Sequence, residues 1–420
     1  MDLERDFISD LPQSIIETIL VKLPLRDAVI TSALSSKWRY KWSSITELVF
    51  DDMCVIPICC DQSVVERTLV HFVTRFLLLH DGPIHKFALS SKYLSSKPYI
   101  DQWLLFLSRK DVKELSIELG EPEWFRAPSY LFSFQKLTHL ELIRCELNPP
   151  LNFKGFSCLK HLNLQQAIMP PCDIENLISS CSLLENLTLS YFDSFELTIR
   201  APKLRYLNLE GEFKEIFLEN TPNLVTVSVA MYMTDDNAEH FEQSSGCNFE
   251  KFLGNVPNLE QLTGHIYFTK YLSIGNDRES KRMIHHHLKV IELHQVSFED
   301  LDEILVVLRL ISGSPNLEQL HISGSTYTTT DYEDLQIWEK WLPANCEFKK
   351  LKFVKMTDFF AMLHEMAFIK FLLAHSPVLE SVTVTPSFCI ADRQLKALID
   401  LLSYRRASPL ATIRFAQTQS

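Results

Sequence analysis

The sequence predicts an α/β fold: a small all-α module at the N-terminus, then a right-handed solenoid of stacked repeats carrying a parallel sheet, closed by a C-terminal cap. Three observations predict it. Apolar residues recur at one-face helical spacing in the first part of the chain. The phrase apolar-x-x-apolar-x-apolar returns between residues 112 and 384. A proline stands two residues ahead of several of those copies.

Composition sets the class before any element is placed. At 420 residues the chain is long for one ordinary core but natural for a solenoid that grows by adding units. Apolar residues make up 46% and charged residues 22%, the balance of a folded protein. A formal charge of −12 argues against a nucleic-acid or anionic-membrane surface, because both need clustered Lys and Arg. The segment Met1 to Asp6 is charged, and no run has the length and apolarity of a signal or membrane span. A cytoplasmic or nuclear location follows as the expectation, with the 10 cysteines as free thiols. Cys54, Cys59 and Cys60 lie close together without paired CxxC spacing, so they read as packed thiols. No metal and no cofactor is expected.

Residues 6–46 read as three short helices. The first starts near Pro12, whose fixed φ suits a first helical turn, and carries Ile15, Ile16, Ile19, Leu20 and Leu23 on one face. Pro24 stops it. Leu25 to Ala33 forms the second, with Ala28 and Val29 apolar, and Ser35 or Ser36 caps a third that holds Trp38 and Trp42. A module this small cannot bury all these groups, and each one left wet forgoes roughly 1.5–3 kcal/mol. Either the following domain covers them or a partner protein takes an apolar helical face into its groove.

The ordered set Leu11-Pro12, Ile15-Ile16, Ile19-Leu20, Leu23-Pro24, Arg26-Asp27-Ala28, Ser35-Ser36-Lys37-Trp38-Arg39 and Trp42 resembles an F-box, the plant form in particular. The resemblance implies binding to the Skp-family adaptor of a cullin-based ubiquitin ligase and, through it, to cullin. The contact residues it implies are Leu11, Pro12, Ile15, Ile16, Ile19, Leu20, Leu23, Pro24, Leu25, Ala28, Val29 and Trp38.

The repeated phrase begins at residues 112, 137, 159, 184, 204, 224, 259, 288, 317, 348 and 379, with an earlier copy at Ile84. The shorter steps fall in the ~20–29-residue range of leucine-rich repeats; the later ones are stretched. Leu137, Leu140, Leu142, Cys145 and Leu147 complete one full leucine-rich motif, so Cys145 reads as a buried structural thiol. The poorest copy has Gly264 in place of its third apolar residue. Pro202, Pro222, Pro257, Pro315 and Pro377 each end the preceding segment and pre-set an extended approach to the next strand. One unit alone cannot bury its apolar face, so neighbours must stack.

Strand alternation then assigns a concave face. It holds His139, Glu141 and Ile143; His161, Asn163 and Gln165; Asn186, Thr188 and Ser190; Tyr206, Asn208 and Glu210; Val290, Glu292 and His294; and Gln319, His321 and Ser323. This mixed polar row, rich in imidazole and lacking Lys and Arg, is the candidate surface for an unnamed protein substrate. Residues 231–247 read as an exposed acidic loop, and His285-His286-His287 as a solvent loop whose adjacency suits no single metal-binding face. Tyr327 to Asp334 is a candidate phosphate acceptor.

Residues 341–384 read as strand, turn, helix (Glu365 to Ala374), proline turn and strand, with Met366, Ile369 and Leu373 on the packed side of the helix. Cys346, Leu351-Lys352, Glu365, Phe371-Leu372-Leu373, Pro377 and Leu379-Glu380 resemble the FBD pattern. The order of parts resembles the plant F-box/FBD/LRR-repeat family over nearly the whole chain. Expected divisions are an F-box at 1–50, a solenoid at 51–340, an FBD cap at 341–415 and a tail at 416–420. The family resemblance implies a non-catalytic substrate receptor of an SCF-type ligase. A ligand-gated receptor of the plant-hormone kind and a non-degradative scaffold use the same architecture. Neither a nucleophile elbow, a P-loop nor a dinucleotide fingerprint points to an enzyme.

Overall fold

The structure, a computed structural model, describes residues 11–55, 61–95, 98–122, 124–232, 248–274, 283–325, 347–387 and 399–416. The chain divides into two compact units, Met1–Tyr191 and Phe192–Ser420.

The first unit opens with α1 (Gln13–Val21) and α2 (Leu25–Ile30), and each is preceded by a proline at its N-cap, Pro12 and Pro24. A 3₁₀ turn, Thr31–Ala33, continues α2. The predicted third helix is not α-helical: turns lead into a short 3₁₀ segment, Lys41–Ser44. There Ser43 Oγ donates to the Tyr40 carbonyl and Ser44 Oγ to that of Lys41, at 2.8 and 3.2 Å, each reaching three residues back. Trp42 turns inward and packs on Phe76 at 4.7 Å between ring centroids.

The sheet of this unit comprises β1 (Glu47–Asp51), β2 (Lys86–Ser91), β3 (Glu114–Leu119), β4 (Phe125–Arg126), β5 (His139–Glu146), β6 (His161–Ile168) and the start of β7 (Asn186–Arg200). Helices α3 (Gln62–Leu78), α4 (Tyr99–Leu107) and α5 (Pro171–Ser180) are interspersed. Every pairing is parallel, and Glu47, Lys86, Glu114, His139, His161 and Asn186 stand in one register row; the short β4 pairs alongside the end of β5. The next residue of each strand (Leu48, Phe87, Leu115, Leu140, Leu162, Leu187) is buried. This is the alternation that a repeated apolar-x-apolar phrase dictates. Ile45, Leu48 and Phe50 form a copy of the phrase one unit earlier than Ile84, so β1 straddles the boundary expected at residue 50.

The second unit continues with β8 (Tyr206–Glu219), β9 (Thr226–Met231), α6 (Asn248–Leu253), β10 (Gln261–Gly264), α7 (Phe268–Ser273), β11 (Val290–Val296), α8 (Leu301–Ser312), β12 (Gln319–Gly324), β13 (Phe353–Phe359), α9 (Leu363–His375), β14 (Ser381–Pro386) and β15 (Thr412–Phe415). From β8 to β15 the pairings are again parallel. Two expectations shift here. The copy placed at residue 348 is out of phase by three. Register sets Leu320 beside Val354 and Ile322 beside Met356, so the unit runs Leu351, Val354, Met356 and Phe353 faces outward. A further strand, β15, follows the last predicted copy, where a contracted phrase (Ala411, Ile413, Phe415) pairs with β14. It is the last strand among the described residues, and Phe415 is exposed on it.

Helix α9 covers the expected Glu365 to Ala374 segment. It buries Ile369 and Leu373 together with Phe368, Phe371 and Leu372, whereas Met366 is half-buried. Gly264 has a packing reason: a Cβ there would stand 2.2 Å from Cδ1 of Phe268, whose buried ring fills the room of the missing side chain.

Two small devices recur. Leu204, Leu224, Leu259, Leu317 and Leu379 each donate their N–H three residues back, at 3.1–3.3 Å, which places Pro202, Pro222, Pro257, Pro315 and Pro377 second in a β-turn. The prolines thus shape a turn rather than an extended approach. Beyond the strand core, Arg144, Gln166, Tyr191, Gln295 and Asp358 are left-handed, with φ from 49 to 59°. Each stands two residues after the second core side chain and redirects its strand, so that Cys145, Phe192, Val296 and Phe359 turn inward.

Candidate functional site

The N-terminal module sorts its apolar residues into two sets. Ile16, Leu20, Leu25, Ala28 and Trp38 are buried within the chain. Of the other expected contact residues, Pro12, Ile15, Ile19 and Pro24 are exposed, and Leu11, Leu23 and Val29 are half-buried. Ile15 and Ile19, one helical turn apart on α1, are 45% and 40% exposed. Val21, Ile30, Leu34 and Tyr40 join them, none of which had been singled out as a contact. Helical periodicity identified an apolar face but not its inward side, because both stripes of α1 are made of isoleucine and leucine.

Beside this surface lies a cleft of about 620 Å³, lined by Ile30, Tyr40, Phe72 and Leu79 with Arg26, Arg39 and Arg75 among them. An apolar floor with several guanidinium groups suits an occupant that is both greasy and acidic. Cys54, also at the lining, is held inert, its thiol pushed up to about 11 chiefly by burial. Cys59 and Cys60 lie outside the described residues.

On the sheets, each candidate recognition residue takes the face opposite the core. His139, Glu141, His161, Asn163, Gln165, Asn186, Tyr206, Asn208, Glu292, His294 and His321 are half-buried, and Gln319 is exposed. Among the neighbouring positions Ser190 and Ser323 are buried. In the first unit His139 and His161 stack at 4.0 Å and 8°. Glu141 accepts from Ser116 Oγ and Asn163 Nδ2, both at 2.8 Å, and Gln165 Nε2 donates to Asn163 Oδ1 at 3.3 Å. Burial, then the neighbouring His139, lowers the pKa of His161 below the ordinary imidazole value.

A second imidazole group occupies the second unit. His265 and His294 stack at 4.9 Å and 5°, and His294 meets His321 edge-on at 5.0 Å. Nε2 of His321 lies 3.1 Å from Thr357 Oγ1, and Ser323 Oγ donates to Asp358 at 2.6 Å. Burial, Lys355 and His294 together push the His321 pKa down to about 4. For His294 the direction is the same, from burial and then His265. His265, Lys355, Thr357 and Asp358 were missed. The first follows the poorest copy of the repeat, and the others belong to the copy read out of phase. The rephased strand also puts a cation, Lys355, on a face expected to lack one.

The histidine run is split. His286 and His287 are exposed, but His285 is buried as the first residue of the turn that leads to Leu288, and burial lowers its pKa. Tyr327 to Asp334, Cys346 and most of the acidic loop lie outside the described residues.

Comparison with known proteins agrees with this organisation. Residues 8–49 match the F-box domain model, 100–322 the model "FBD-associated F-box protein At5g56370, LRR repeats", and 344–384 the FBD model. The chain is similar to the F-box/FBD/LRR-repeat protein At1g13570 of Arabidopsis thaliana, with 56% identity over 98% of this chain and 99% of that one. It is also similar to two FBD-associated F-box proteins of the same plant. At1g66310 is 25% identical over 97% of this chain and 95% of its own, and At5g56370 is 26% identical over 97% of each.

Proposed function

Because the chain belongs to the F-box/FBD/LRR-repeat family, we propose that it is the substrate-recognition subunit of an SCF-type cullin–RING ubiquitin ligase. In this reading the N-terminal module binds a Skp-family adaptor, and the half-exposed sheet face holds a target protein. The observation that carries the reading is the density of exposed large apolar side chains on the module: Ile15, Ile19, Val21, Ile30, Leu34 and Tyr40. So many exposed large apolar side chains on so small a module support an interaction surface there. Covering one such side chain contributes roughly 1.5–3 kcal/mol. Ubiquitin then reaches the target by proximity, and the receptor itself supplies no chemistry.

The test replaces only exposed residues. An Ile15→Asp, Ile19→Asp chain loses two apolar contacts and should bind the adaptor at least about 100-fold more weakly by titration calorimetry. Its far-UV circular dichroism and melting temperature should match the unaltered protein. Undiminished adaptor affinity in the doubly charged chain would overturn the proposal.

A further inference from the structure

The imidazole group of the second unit has a geometry that protein recognition does not require. Strands β11 and β12 pair in parallel with Glu292 directly opposite His321. His294 follows Glu292 by two residues, so the two side chains share a face. One ligand-capable atom from each of Glu292, His294 and His321 lies within 4.8 Å of the others. Donors around a zinc ion stand roughly 3.4 Å apart, given a bond of ~2.0–2.1 Å and tetrahedral angles. Closing that difference falls to the side-chain torsions of the three residues.

We propose that Glu292, His294 and His321 form a binding site for a divalent transition-metal ion of the zinc class, on the face of the sheet opposite its core. Two imidazoles and one carboxylate are a donor set such ions favour, and three protein ligands leave a coordination position open toward solvent. One neighbouring contact favours the site. Thr357 sits at hydrogen-bond distance from one ring nitrogen of His321, the kind of outer contact that orients a metal-binding imidazole. Lys355, opposite His321 on β13, opposes a cation, but it is exposed to water, and Glu292 and Asp358 place negative charge nearby. Spacing in the sequence hid the site because its donors come from two successive repeats.

The experiment uses the full chain without a polyhistidine tag, stripped with chelator. Zinc is titrated in a calorimeter, and cobalt is added as a spectroscopic probe. One zinc per chain is expected, with cobalt d–d absorption and a higher melting temperature on zinc addition. A His294→Asn, His321→Asn chain should lose all three. A Glu292→Gln chain, which preserves shape, should bind zinc more weakly, and Thr357→Val should weaken it by the roughly 10–100-fold typical of an outer-contact loss. A His286→Asn, His287→Asn chain should bind as the unaltered protein does. Absence of zinc binding by the unaltered chain overturns the proposal. So does binding that survives in the first variant and in Glu292→Gln, or that disappears in the last.

Discussion

Glu303 and Glu365 are buried carboxylates performing the same local task in two repeats separated by one other, that of β12. The Oε2 atom of Glu303 accepts from Ser297 N–H at 3.2 Å and Thr269 Oγ at 2.6 Å; that of Glu365 accepts from Phe360 and Met362 N–H at 3.0 and 2.9 Å. Each latches the turn that follows its strand to the helix that comes next. Burial outweighs these hydrogen bonds and raises both pKa values to about 7 from an ordinary 4.5. The folded state therefore holds these protons more tightly than the unfolded chain. Stability is highest below the unfolded value, falls as pH rises from about 4.5 to about 7, and levels off above that. A Glu365→Gln chain keeps an acceptor without the charge. Relative to the unaltered protein, it should gain on the order of 1–3 kcal/mol more at about pH 8 than at about pH 5, measured by urea denaturation. On α1 the consequence of burial is opposite in kind. Leu20→Ala should destabilise the module by roughly 2–5 kcal/mol, because Leu20 is fully buried, whereas Ile19→Ala should cost little without the partner. Hydrogen exchange of the α1 amides reads the difference.

At the scale of the element, the recurring left-handed residue bends five of the strands just past their core pair. A non-glycine residue there costs roughly 1–2 kcal/mol, and a β-branched one more. Gln295→Gly should accordingly be neutral or stabilising by up to about 1 kcal/mol, and Gln295→Val destabilising by about 1 kcal/mol or more, read as shifts in thermal unfolding. Gly264 and Phe268 form a matched pair. Gly264→Val should be strongly destabilising alone and much less so beside Phe268→Ala, a coupling that a double-mutant cycle reads directly. These elements also show what periodicity can reveal. The leucine rows of β5, β6 and β7 were legible because every apolar position of the phrase was filled by one residue type. The phase of β13 was not, because Phe348, Leu351 and Phe353 mimic the phrase as well as Leu351, Val354 and Met356 do, and only pairing with β12 separates them. The left-handed residues carry no shared identity (Arg, Gln, Tyr, Asp), so no sequence pattern announced them.

For the molecule as a whole, the order of parts was legible from residue pattern and resemblance. The helical module and α3 pack together: Trp42 packs on Phe76 of α3, and buried His80, just past that helix, bonds the Ile45 carbonyl at 2.7 Å through Nε2. Removing residues 1–46 therefore uncovers Phe76 and strips the partner of His80. The shortened chain should melt at a lower temperature and bind a hydrophobic dye that the intact protein excludes, a test that calorimetry and fluorescence can make. Point changes at Ile15 and Ile19 are thus the cleaner way to uncouple the proposed adaptor. The Trp42–Phe76 contact also has a mechanical consequence. Phe76 of α3 meets both Trp42 of the module and Phe50 of β1, so the module is packed onto the first strand through a shared ring rather than hung from it by a tether. Under the proposed function, cargo seated on the first strands would be offered to the ubiquitin-charged enzyme at a set reach, and which of its lysines receive the mark would follow from that reach more than from their chemistry.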